Sequence, residues 1–253
     1  MSDIETAANN FETAPAGLSQ GQRVIYTFTA PSKTFTDIIR DRSWWLPFVL
    51  GLLFSYLFIF AMVNKVGWTR LTESALKQNP AQMERMNNMP ADQRASAMRT
   101  SEIFTKGFTY GYPVLGLVAT AIIALVLWGT INFGFGGKAT YGEVFAVWMY
   151  ASLPLLLKAL LGAVSLFAGL DSESFNIQNP VGTNVGYYLP PDLPKWLLAL
   201  GSWFDIITIW HLILGGIGLA IVARVKRSAG LTAVFGWWLL IMLLSVGYAA
   251  VTG

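Results

Sequence analysis

Apolar residues fall into five long blocks along this 253-residue chain, separated by short polar links and longer polar stretches. The blocks cover residues 44–63, 111–132, 143–169, 203–223 and 231–251. Each is about the 20 residues an α-helix needs to cross a bilayer. The first carries no charge at all, and at 1.5 Å per residue its length matches a hydrocarbon core of roughly 30 Å. Trp44 and Trp45 at its start, Trp68 beyond its end, and Tyr110, Tyr112 and Trp128 around the second block sit where aromatic belts form. The pattern predicts an all-α polytopic integral membrane protein with five transmembrane helices, residues 44–253 forming the membrane domain.

The polar stretches predict less regular parts. Residues 1–18 are small, polar and acidic, without the apolar core of a signal peptide, and are expected to be a disordered tail. Over residues 19–43, Val24, Ile25 and Phe28, then Phe35, Ile38 and Ile39 after Pro31 and a Ser32 N-cap, recur at helical spacing. They predict two short amphipathic helices. These lie at the interface with basic residues toward headgroups and aromatics toward acyl chains, or they pack on the protein's own cytosolic surface. The mixed-charge loop 64–110, with Pro80 and Pro90, predicts two or three short helices outside the bilayer. Its stripe of Leu71, Ala75, Met83, Met86, Met98 and Ile103 suits packing on neighbours, with a partner groove as the alternative. Gly134, Gly136, Gly137 and Lys138 look superficially like a phosphate loop but lack the preceding strand and full spacing, so a tight turn is expected. Residues 171–195 read as an irregular polar excursion. The run from Pro194 to Ala223 exceeds one perpendicular span, and a break near Gly201 and Ser202 is favoured over a tilted continuous helix.

Composition narrows the class. Hydrophobic residues make up 54% and charged residues 12%, which is wrong for a soluble surface. The net charge of +3 forms no basic stripe with interleaved aromatics, so no nucleic-acid partner is expected. With no cysteine and a single histidine, His211, neither a thiolate site nor a metal site is expected. HExxH, GxSxG and paired carboxylates in a polar pocket are absent, and the chain reads as neither an enzyme nor a cofactor binder. Counting Lys and Arg in the links gives eight on each side. Weighting short links near helix ends, Arg40 with Arg42 and the uncompensated Arg224, Lys226, Arg227 link favour a cytoplasmic N-terminus and an outside C-terminus, although Lys65, Arg70 and Lys106 argue the other way.

The candidate chemistry lies inside the blocks. Lys158 is about 16 Å from the end of the third block. A lysine in hydrocarbon costs on the order of 2.5 to 3.5 kcal/mol, so it needs a partner or a route to water. Asp205 has a similar depth on the next segment if that run is continuous, and a Lys158–Asp205 pair is the first expectation. Ser152 and His211, six residues deeper on each helix, form a candidate second rung with Thr208 bridging. The competing reading has Lys158 snorkelling and Asp205 merely capping the fourth helix after a break. His211 is expected to hydrogen-bond across helices. Gly216, Ala220 and Ala223 share one face of the fourth block, and Gly215 and Gly218 a neighbouring one, as small residues that admit close helix packing. Pro154 is expected to bend the third helix and free a carbonyl in the preceding turn.

Several stretches together resemble the Yip (Ypt-interacting protein) family, in the branch found in bacteria. They are Pro31, Lys33, Thr34 and Phe35; Trp44 to Pro47; Gly142 and Glu143; Tyr150 to Pro154; Asp205 to Trp210; and Arg227 to Ala233. The resemblance implies five transmembrane helices with a cytosolic N-terminus. Eukaryotic members interact with Rab-type GTPases and act in vesicle traffic and membrane shaping. Their cytosolic Asp-Leu-Tyr-Gly-Pro motif is absent here, so that role does not carry over. The expected function is a non-enzymatic inner-membrane (plasma-membrane) protein that organises lipid or scaffolds membrane-protein partners or copies of itself. The alternative is a small transporter or channel with a polar path along Lys158, Asp205 and His211.

Overall fold

The computed structural model describes residues 17–77, 80–169, 179–190 and 192–252. The first sixteen residues of the expected disordered tail, and Asp171 and Glu173 of the 171–195 excursion, lie outside the described residues. Those described build an all-helical protein: α1 (Gln20–Thr29), α2 (Pro31–Arg40), α3 (Trp45–Lys65), α4 (Trp68–Lys77), α5 (Pro80–Asn87), α6 (Ala91–Gly129), α7 (Tyr141–Ala151), α8 (Leu155–Phe167), α9 (Lys195–Trp203), α10 (Ile206–Ala223) and α11 (Arg227–Thr252). Five units are long and apolar enough to cross a membrane: α3, α6, the α7–α8 pair, α10 and α11.

Three elements differ from the sequence pattern in shape. The end of loop 64–110 is not a separate short helix. It is continuous with the second span as α6, a 39-residue helix with Pro113 in its interior, ending in a π-turn at Thr130–Gly134. No proline lies between Ala91 and Pro113 to stop it. The third block is two helices, because Pro154 lacks the N–H that would continue the ladder. Leu155, Leu156 and Leu157 donate instead to the carbonyls of Ser152, Leu153 and Pro154 in tight turns. The run into the fourth span also divides, at Phe204 and Asp205, two residues beyond the Gly201–Ser202 position. Trp203, Phe204 and Phe235 pack edge-on around Trp238 at this division.

Helix α10 is the central element. Its small residues meet four different neighbours. A Cβ built at Gly216 would lie 3.0 Å from Leu231 Cα, one at Gly215 2.7 Å from the Trp148 ring, and one at Gly218 2.9 Å from Phe35, while Ala223 Cβ lies 3.0 Å from the Cβ position of Gly137. Across the tightest contact, Gly230 of α11 faces Ala220 and the Gly216 carbonyl. Loss of a side chain here lets two backbones approach, which is how helices associate where lipid removes the hydrophobic drive.

The α1–α2 hairpin divides its faces in an unexpected way. Phe35 and Ile38 are fully buried against the spans, whereas Ile25 is 60% exposed and Phe28 packs edge-on against Trp210. Arg23 is not turned toward headgroups: its side chain is fully buried. Along the 64–110 stripe, Leu71 and Met86 are buried and Met83 and Met98 half-buried, while Ala75 and Ile103 are exposed.

Gly230→Ala is expected to destabilise the fold by about 1–3 kcal/mol, the usual cost of overpacking. Gly236→Ala, on the same helix with open space at its Cβ, is expected to be neutral or stabilising by up to about 1 kcal/mol. Thermal unfolding of the two variants in detergent checks the contrast, and equal effects would refute the close-approach account.

Candidate functional site: the Lys158–Asp205 ion pair and its surroundings

The two helix divisions lie beside each other and carry the polar groups. Asp205 is the N-cap of α10, with Oδ1 accepting from the Thr208 N–H at 2.7 Å. The same oxygen is 3.0 Å from Lys158 Nζ, which also donates to the Thr208 hydroxyl at 2.9 Å. The Thr183 hydroxyl donates to Asp205 Oδ2. The Asp205 side chain is 4% exposed and that of Lys158 32%. The sequence leaves capping and pairing as alternatives; in the structure one carboxylate does both, because the division leaves α10 starting where Lys158 projects. The start of a buried helix leaves N–H donors without partners, and a carboxylate at that terminus satisfies them while countering the lysine.

Thr183 has no signal of its own in the sequence, since its partner is 22 residues away. It is placed by a segment that folds onto the division: Asn184 bridges to Asp205 backbone to backbone, and the Ile206 N–H donates to the Thr183 carbonyl at 3.0 Å. Side-chain amides of Asn179 and Asn184 hydrogen-bond each other, and the Asn184 side chain caps the 3₁₀ turn at Val185–Tyr188. This part of the 171–195 excursion therefore covers Asp205 rather than extending into solvent.

Ser152 and His211 do not form a second rung with each other. The Ser152 hydroxyl donates to the Trp148 carbonyl in its own helix. His211 Nδ1 lies 2.9 Å from the Ala151 carbonyl, and since a carbonyl only accepts, Nδ1 carries the proton. That carbonyl is the one left without its helical donor at the division before Pro154, because the Leu155 N–H turns to Ser152. His211 is 6% exposed and stacks edge-on against Trp148 with ring centroids 4.5 Å apart. The division also opens an apolar crevice of about 220 Å³ between α3, α6 and Leu153, with Gly51 and Gly116 on facing walls. The Ser152 hydroxyl that borders it is already occupied. Among the described residues no cluster of three or more His, Asp or Glu side chains has the arrangement of a metal site.

A second ionic centre, in the α1–α2 hairpin, has no counterpart in the sequence reading. Arg23 donates from Nε to Asp37 at 2.7 Å, from Nη2 to Asp41 at 3.1 Å and from Nη1 to the Ser43 carbonyl at 3.3 Å. The hydroxyls of Thr27 and Thr34 both donate to the Arg23 carbonyl. Tyr150, fully buried on α7, donates to Gln20 and so ties the hairpin to the third span. Arg42 approaches Glu143 at 3.9 Å, while Glu143 closes a capping box with Thr140 at the start of α7. Burial pushes the Asp37 carboxyl up, but hydrogen bonds from Arg40 and Arg23 and the charge of Arg23 outweigh it and hold the group below the ordinary carboxylate range.

A protein-family model described as Yip1 domain matches residues 25–249. No curated protein matches the chain, and no solved structure matches it.

Two outcomes test the ionic centres. Lys158→Met leaves a buried carboxylate uncompensated and is expected to cost about 2–3 kcal/mol, toward the low end for a broken buried pair because the lysine is partly accessible. Adding Asp205→Asn, which keeps an acceptor for the cap, is expected to recover most of that loss. Strictly additive losses in the unfolding free energies would remove the pair. For Asp37, a lowered folded-state pKa means stability present above the unfolded value near 3.9 and lost as pH falls through the folded one. Acid unfolding of the wild type is expected to show this loss below about pH 4, and Asp37→Asn to lack that part of the acid dependence.

Proposed function

The chain belongs to the Yip1 domain family, and we propose that it is a non-enzymatic, membrane-organising protein that scaffolds other membrane proteins or copies of itself. The observation that carries this reading is the closure of its polar centre. Lys158, Asp205, Thr183, Thr208 and His211 are hydrogen-bonded to one another or to backbone, and the divided helices satisfy their own ends. Polar groups arranged this way hold helices in place. Family membership agrees, since the family is one of generally non-enzymatic membrane proteins.

The surfaces available to partners lie elsewhere. The long helix α6 exposes Ile103, Phe104 and Phe108, at 69%, 74% and 63%, beside the Glu102–Lys106 ion pair. This is more apolar surface than a single exposed residue, and such patches mark association. We place the protein in the cell's inner membrane, as a member of the branch found in bacteria, with the α1–α2 hairpin cytoplasmic. The support is the set of basic residues, Arg40, Arg42, Arg224, Lys226 and Arg227, at that face.

Chemical crosslinking of the full chain in liposomes at low protein-to-lipid ratio is expected to give dimers or higher species, diminished by Phe104→Ser with Phe108→Ser. A chain that stays monomeric and captures no membrane protein when crosslinked in native membranes would contradict the scaffolding role.

A further inference from the structure

Three chain segments converge at the membrane face that holds the α1–α2 hairpin. The link after α6 folds back tightly: Asn132 exchanges two hydrogen bonds with Ala139, Trp128 donates to the Ala139 carbonyl, and Gly137 N–H donates to the Ile131 carbonyl. The Lys138 N–H donates to the Ala223 carbonyl at 3.1 Å, which sets Lys138 beside Arg224 at the end of α10. Arg227, at the start of α11, donates to the Ser32 hydroxyl at 3.3 Å. Lys138, Arg224, Lys226 and Arg227 are all exposed, and among the described residues none has an ion-pair partner. The acids of this face are engaged elsewhere: Asp37 and Asp41 by Arg23 and Arg40, and Glu143 by Arg42 and its capping box.

Arg224 adds a second, independent observation. Among the described residues it is the one non-glycine with positive φ, at φ 57° and ψ 40°. It ends α10 in the left-handed position where helices ordinarily place glycine, with its N–H and that of Val225 both returning to the last turn. The backbone there favours glycine, so the side chain is what the position gains from arginine. The glycine-rich link offers no phosphate cradle of its own, because the N–H groups of Gly137, Lys138 and Ala139 are spent within the protein. Recognition would fall to the four cationic side chains.

We infer that Lys138, Arg224, Lys226 and Arg227 form a binding site for the phosphate headgroup of an anionic phospholipid. The site sits at the ends of apolar spans, where lipid phosphates lie, and Phe133, in the π-turn five residues before Lys138, is 82% exposed, an apolar side chain suited to the upper acyl chain. Basic pockets between spanning helices at one membrane face bind anionic headgroups by charge. The inference deepens the membrane-organising reading by naming a lipid, and it rests on that reading only for the bilayer setting. Protein crosslinking can fail while lipid preference stands, and the reverse.

Native mass spectrometry of the full chain in non-ionic detergent, with phosphatidylglycerol and phosphatidylcholine added together, tests it. In detergent the membrane orientation of the basic residues is immaterial, so a role in topology cannot account for any difference. The wild type is expected to retain phosphatidylglycerol preferentially, and affinity to fall roughly fivefold for each cation removed in Arg224→Gln/Lys226→Gln/Arg227→Gln. The equal change of charge in Lys77→Gln/Arg85→Gln/Arg94→Gln is expected to leave it unchanged. Arg224→Gly is expected to raise Tm while weakening phosphatidylglycerol binding, a combination a purely structural arginine would not give. Undiminished binding in the first triple variant or in Arg224→Gly would overturn the site, as would an equal loss in the second triple variant. Displacement of the lipid by excess inorganic phosphate would assign the site to a free anion and overturn the lipid assignment.

Discussion

Hydrocarbon offers no hydrogen bond to any group placed in it, and the centre of this protein is organised by that constraint. One of the five spans is divided within its length, before Leu155, and another, α10, starts at a division from α9; a helix end away from water leaves donors or acceptors without partners. Here the interruptions satisfy each other's needs. The donors opening α10 are met by Asp205, the charge of Asp205 is met by Lys158 from α8, and the carbonyl released before Pro154 is met by His211 from α10. Together they bind the third and fourth spans into one unit, with Gly215 admitting Trp148 and Gly218 admitting Val147 where the helices run closest.

The same physics accounts for the amino-terminal hairpin. A charged group taken out of water is stable only with charge and hydrogen-bond partners supplied by the protein. Helix α1 shows Ile25 and Phe28 outward and encloses Arg23 and Thr27, and the guanidinium is neutralised by Asp37 and Asp41 rather than by solvent. Tyr150 and Gln20 then join this outer ionic centre to the third span that carries the inner one. The α7–α8 unit is thereby held by polar contacts on both sides of its division, at Tyr150 and at Lys158.

The five-span all-helical architecture was legible in the order of apolar and polar positions, because a spanning helix must be long and nearly free of charge. Lys158 and Asp205 were recognisable as residues in need of explanation for the same reason. Pro154 marked a bend in the third span through chemistry local to the chain, its missing N–H, while the full division into α7 and α8 appeared only in the structure. The continuity of α6 through the end of loop 64–110 was not legible: polarity locates where a helix leaves the bilayer but not where it stops.

What the sequence determined alone was therefore which segments enter the membrane and which residues are costly there. Which partners relieve those costs was decided by tertiary structure. Thr183 reaches Asp205 only because its segment folds onto the division before α10, His211 meets the Ala151 carbonyl from 60 residues away, and Arg23 is enclosed by acids on the following helix and link. Helical periodicity assigns a side chain to a face but carries no information on what faces it. The apolar stripes of α1 and α2 could thus be read from spacing, while the choice of which face is buried depended on Arg23 having two carboxylates to meet.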